Sequence, residues 1–102
     1  AAAVILATTR ADVNGAVRRR LDVRKLSFAP MDDAVARTGM EYGGITPIGL
    51  PADWPILVDA AVVAAGPVVI GAGIRAAKIV LDGALLAQVP GAEVIEGLAV
   101  PV

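Results

Sequence analysis

The sequence predicts a single α/β (α+β) domain with a mixed sheet, and three observations carry that expectation. Short branched-aliphatic runs (Ile56–Asp59, Val68–Ile70, Ala77–Leu81) alternate with short stretches of helical spacing. Glycine and proline recur at close intervals, so no element can run long. The 102 residues contain no repeat, linker or low-complexity stretch, and they suffice to bury a core of their own.

In chain order, Ala3–Thr8 reads as a strand, apolar until it ends at two threonines. Asp12 is placed to cap a helix reaching about Leu21, with Val13, Ala16, Val17 and Leu21 on one face. Arg18, Arg19 and Arg20 fall in its last turn, where positive charge complements the helix dipole. Leu26–Ala29 reads as a second strand. Pro30 then opens a helix with Asp32 and Asp33 in its first turn and Gly39 as its stop. Residues 43–55 form a glycine- and proline-rich loop holding Trp54. Ile56–Asp59 is a buried strand, followed by a brief helical turn over Ala60–Ala65. Val68–Ile70 and Ala77–Leu81 are two strands joined through Gly71-Ala72-Gly73-Ile74-Arg75. Gly83–Gln88 is a last helix that stops at Pro90-Gly91, and Glu93–Ile95 a terminal strand.

Composition excludes several kinds of chemistry. With no cysteine there is no disulfide, thiolate nucleophile or structural zinc, a usage that fits a cytoplasmic protein. With no histidine the commonest general base and metal ligand is gone. Ser27 is the lone serine and has no imidazole to activate it, so a nucleophilic triad is excluded and no cofactor or metal is expected. Carboxylate chemistry stays open at Asp32, Asp33, Glu41, Asp53 and Asp59. Asp32 and Asp33 read as helix-terminal charges, and Asp59 as a strand-end cap or a catalytic carboxylate.

Hydrophobic residues make up 57% of the chain and the mean hydropathy is +0.73. The longest uncharged run nevertheless spans fifteen residues, Ala60–Ile74, and is broken by Gly66-Pro67. A membrane-spanning helix needs about 20 apolar residues, so no membrane segment or membrane partner is expected. The chain starts without methionine inside a strand-like run, from which a missing N-terminal segment is inferred. Charge is uneven: Arg10–Lys25 carries a net +4 and the remainder −5. Arg18–Arg20 therefore read either as a solvated helix face or as contacts to nucleic-acid phosphates.

The most distinctive stretch is Gly39-Met40-Glu41-Tyr42-Gly43-Gly44-Ile45-Thr46-Pro47-Ile48-Gly49-Leu50, leading into Pro55-Ile56-Leu57-Val58-Asp59. Paired glycines followed by proline define a loop through its backbone, suited to bringing main-chain amides close to a ligand or simply to turning. Gly71-Ala72-Gly73 makes a second such wall. It lacks the third glycine of a dinucleotide fingerprint and any Walker lysine-threonine pair, so it is weak as a phosphate cradle. Tyr42 and Trp54 flank the first loop, as packing residues or as a stacking platform.

These residues resemble the YbaK/prolyl-tRNA synthetase-associated domain family, whose GxxxP loop would be Gly43–Pro47 here. The resemblance runs from about residue 4 to residue 96, through Asp12-Val13-Asn14, Ser27-Phe28-Ala29-Pro30, the Met31–Gly39 helix, Leu57-Val58-Asp59 and the second glycine turn. It implies a YbaK-like domain over residues 1–102 with a partly barrel-like sheet. It further implies editing of mischarged proline tRNA for translation fidelity: a deacylase hydrolysing the ester of a small amino acid at the tRNA 3′ end. By the same resemblance the substrate-binding residues are Gly43, Gly44, Ile45, Thr46, Pro47, Asp59, Gly71, Ala72 and Gly73. The family's lysine falls upstream of Ala1, and neither Lys25 nor Lys78 replaces it by position. Gly71 and Lys78 stand where some relatives carry a hydroxyl residue and an acidic one. Two rival readings stand beside the enzyme: a non-catalytic module that binds tRNA ends or a synthetase, and a structural or homo-oligomerising domain.

Overall fold

The computed structural model describes all 102 residues, and its centre is a three-stranded parallel sheet. Strand β1 (Ala2–Val4) leads to β2 (Thr9–Ala11), a wide π-helical turn Val13–Val17 and helix α1 (Arg18–Leu21). Helix α2 (Met31–Thr38), strand β3 (Ile56–Asp59), helix α3 (Ala60–Val63) and strands β4 (Pro67–Gly71) and β5 (Lys78–Asp82) follow. A 3₁₀ helix Gly83–Gln88, β6 (Ala92–Ile95) and β7 (Ala99–Pro101) complete the order.

β3 lies between β1 and β6, parallel to both, with Leu57 opposite Ala3 and Glu93. All four of its residues are buried, as the unbroken aliphatic run requires of a strand covered on both faces. On one face Ile56 and Val58 pack with Val62 and Leu86, under the inner side of the β4–β5 hairpin through Val68, Ile70 and Leu81. On the other, Leu57 packs with Val17 and Leu98 beneath α1 and the β2–β7 ribbon. Parallel and antiparallel pairing both occur, but in three separate sheets, and none closes into a barrel.

Local signals placed most elements where the sequence predicts them. Asp12 accepts from the Ala16 N–H at 3.0 Å and starts the first helical segment. Asp32 and Asp33 occupy the first turn of α2, and Gly39 ends it with φ 69°. Three expectations change. The first strand stops at Val4 because the chain turns at Leu6, whose carbonyl accepts both the amide (2.9 Å) and the hydroxyl (2.7 Å) of Thr9. Leu26–Ala29 is not a strand: only Leu26 is half-buried, so no face is available to bury against a neighbouring strand. The third is an added ribbon: β2 and β7, both unforeseen in the sequence, pair antiparallel with each other.

Candidate functional site

The two glycine loops meet. Glu41, just after α2, donates its N–H to the Gly73 carbonyl at 2.9 Å, and the Gly73 N–H donates to the Gly44 carbonyl at 2.8 Å. The contact is too close for side chains. A β-carbon on Gly44 would lie 2.4 Å from the Ile74 carbonyl carbon, and one on Gly71 2.6 Å from the carbonyl oxygens of both Gly44 and Ile45. Gly43 has φ 81°, open to glycine and strained for other residues. So Gly43–Pro47 and Gly71–Gly73, 24 or more positions apart in sequence, form one wall.

Several main-chain donors of this wall are already engaged. The Gly44 amide binds the Glu41 carbonyl at 2.9 Å, and the Thr46 amide has the Met40 sulfur at 3.4 Å, a weak acceptor. The amides of Ile45 and Ala72 take part in none of the backbone bonds outside the regular elements. Thr46 is 5% exposed, and its hydroxyl has no hydrogen-bond partner. An unpaired buried hydroxyl carries a free-energy cost of about 1–3 kcal/mol.

Beside Ile45, Thr46 and Pro47 opens a cavity of about 250 Å³, walled by α2 through Ala34 and Thr38, by β1, and by Leu50 and Trp54. No ionisable side chain lines it. Trp54 is thus part of the cavity wall, while Tyr42, next to Gly43 in the chain, stays exposed with the Arg75 guanidinium 5.9 Å from its ring centre. Lys78 reaches the first glycine loop and donates from Nζ to the Gly43 carbonyl at 2.8 Å. Its place at the loop is a finding of the fold. The sequence held one clue, two cations closely following the second glycine turn.

Asp59 is buried at the end of β3 and is not part of the cavity lining; its carboxylate accepts from the Ala61 N–H at 3.3 Å as the cap of α3. The arginine cluster is largely tied within the chain. Arg18 donates to the carbonyls of Asn14 (3.1 Å) and Arg24 (3.3 Å), and Arg20 forms an ion pair with Glu93 on β6. Hydrogen bonding and charge attraction from Glu93 raise the Arg20 pKa. The Arg20 hydrogen bond holds the Glu93 carboxyl below the ordinary carboxylate range.

A comparison with known families decides what this arrangement belongs to. Residues 1–89 match the sequence model of the aminoacyl-tRNA editing domain, a match that takes in both glycine loops. The chain belongs to the aminoacyl-tRNA editing domain family. Among curated individual proteins, none matches it. Membership connects this editing domain with aminoacyl-tRNA. No helix in it is long and apolar enough to cross a membrane.

Proposed function

We propose that this editing domain is an aminoacyl-tRNA deacylase, acting in trans in the cytoplasm on a small amino acid mischarged to a proline-accepting tRNA. The observation that carries the reading is the wall of two crossed glycine loops beside a small cavity lined by Ile45, Thr46 and Pro47 of the first loop. Gly43, Gly44, Pro47, Gly71 and Gly73 shape the wall against which the terminal adenosine rests, and the Ile45 and Ala72 amides supply its donors. The amino-acid side chain enters the cavity, whose roughly 250 Å³ is below the ~300–1,000 Å³ of drug-sized sites and suits a group the size of one residue. Asp59 enters only as the cap that fixes the end of β3.

Ester hydrolysis needs a water to attack the carbonyl and the ribose oxygen to leave with a proton. The intermediate carries an oxyanion, which preorganised amides stabilise without an ionisable side chain. A synthetase that delivers the tRNA is a natural partner for such a domain. The absence of ionisable side chains in the cavity favours the amide-based route, and it equally supports a second reading as a non-catalytic tRNA-end binder.

The test is single-turnover hydrolysis of alanyl, seryl and cysteinyl esters of proline tRNA by wild type and by Ala34→Leu, which adds bulk from α2 into the cavity. Turnover by wild type that disappears in a folded Ala34→Leu variant is expected. Binding of aminoacyl-adenosine with no turnover of any ester would favour the binding module. Absence of both binding and turnover would overturn the proposal.

A further inference from the structure

The β4–β5 hairpin leaves the apolar edge of β5 unpaired. β5 reads Lys78-Ile79-Val80-Leu81-Asp82 and pairs with β4 alone. The other edge of the hairpin is less available, because β4 starts at Pro67, which has no N–H, and ends at Gly71 beneath the glycine loop. On the outer face Val69 and Val80 sit opposite each other and are 64% and 69% exposed. An open apolar edge strand is a template for adding another strand.

The register shows which main-chain groups that edge offers. One step beyond the paired strands, Gly83 donates its N–H to the Gly66 carbonyl at 2.7 Å. Hydrogen-bonded and non-bonded pairs alternate along an antiparallel ladder. Leu81 and Ile79 therefore direct their N–H and C=O groups toward β4, and Asp82, Val80 and Lys78 direct theirs outward.

We propose that the occupant of this edge is a second copy of the chain, paired antiparallel through β5 about a two-fold axis at Val80. Three independent features agree on that register. Lys78 and Asp82 are equally far from Val80, so the pairing sets Lys78 of each copy opposite Asp82 of the other. A parallel arrangement would oppose like charges instead. The residues matched across the axis, Val80 with Val80 and Lys78 with Asp82, are the ones whose main-chain groups point outward, so each match exchanges N–H···O=C bonds. Val69 and Val80 of both copies then form one continuous valine row across a four-stranded sheet, covering the most exposed apolar side chains of the hairpin. The interface is isologous, the commonest symmetry among homo-oligomers. Its seam ends at Lys78, whose Nζ also holds the Gly43 carbonyl, so it abuts the glycine loop.

The experiment is sedimentation velocity of the full chain over loadings from about 1 μM to about 1 mM. A reversible monomer–dimer equilibrium is expected. Val80→Lys sets two ammonium groups on the axis and is expected to leave monomer at every loading. Lys78→Glu and Asp82→Lys each set like charges at both ends of the seam and are expected to weaken the dimer by roughly ten-fold or more. An equimolar mixture of these two variants is expected to restore dimer as a heterodimer, because both ends again join opposite charges. Circular dichroism establishes that the variants are folded. A wild-type chain that stays monomeric at all loadings, or a dimer indifferent to Val80→Lys, would overturn the proposal. So would folded charge variants whose mixture dimerises no better than either alone.

Discussion

Gly71 and Thr46 show how single residues set this wall. A methyl group at Gly71 has no free space, since its nearest neighbours would be backbone oxygens of the facing loop and not a side chain that could move aside. Gly71→Ala is therefore expected to push the loops apart and to destabilise the domain by roughly 1–3 kcal/mol, the range for overpacking. Faster amide hydrogen exchange at Gly73, whose N–H bridges the loops, would report the separation; unchanged exchange would mean that the wall tolerates a side chain. Thr46 works in the opposite sense. Thr46→Val keeps the shape and removes an unpartnered hydroxyl, so urea unfolding is expected to show a gain of about 1 kcal/mol. A loss of stability instead would mean that the hydroxyl has a partner in the folded chain.

Among elements, α1 is held by Leu21, half-buried against the Leu57 core, and by one surface ion pair. None of its four residues is fully buried, and Arg20 ties it to Glu93 on β6. Because the Glu93 pKa is lowered by folding, the pair's contribution is complete above the ordinary carboxylate range and disappears as pH falls through the lowered folded value. Both side chains are about half exposed, so the contribution is small and sensitive to salt. Glu93→Gln is expected to flatten the acid limb of the thermal-stability profile and to leave stability near neutral pH only slightly reduced. An unchanged acid limb would assign that limb to other carboxylates. The same geometry explains which elements the sequence made legible. α2 was readable because Pro30, Asp32, Asp33 and Gly39 act within a few residues of one another, and β3 because an unbroken aliphatic run suits only a doubly covered strand. The break after Val4, the unpaired Leu26–Ala29 and the short β7 depend on which distant edge is free, and local pattern does not carry that. The glycine loops were legible as loops for the local reason; their contact with each other, and Lys78 on Gly43, depend on pairing across the fold.

At the scale of the whole molecule, both faces of β3 carry a core, and only twelve residues are buried, so each of them bears a large share of the stability. Leu98 is the clearest case. It is fully buried against Leu57 and Val17, and its carbonyl accepts the Asp12 N–H at 2.8 Å, joining the start of β7 to the first helical segment. Leu98→Ala is expected to cost about 2–5 kcal/mol, a large part of the ~5–15 kcal/mol typical of a domain. Leu98 lies on the face of β3 opposite the one that packs under the hairpin, whereas Trp54 lines the cavity beside the Gly43–Pro47 loop. Because Leu57 alternates along one strand with Ile56 and Val58, loss of packing on the Leu98 face is transmitted directly to the other. Urea unfolding followed by Trp54 fluorescence and by far-ultraviolet circular dichroism is therefore expected to give one coincident transition in wild type, shifted together in Leu98→Ala. A Trp54 transition that stays at the wild-type midpoint while the dichroism moves would mean that the cavity side folds as its own cooperative unit. The central strand would then not be the element that couples the two cores.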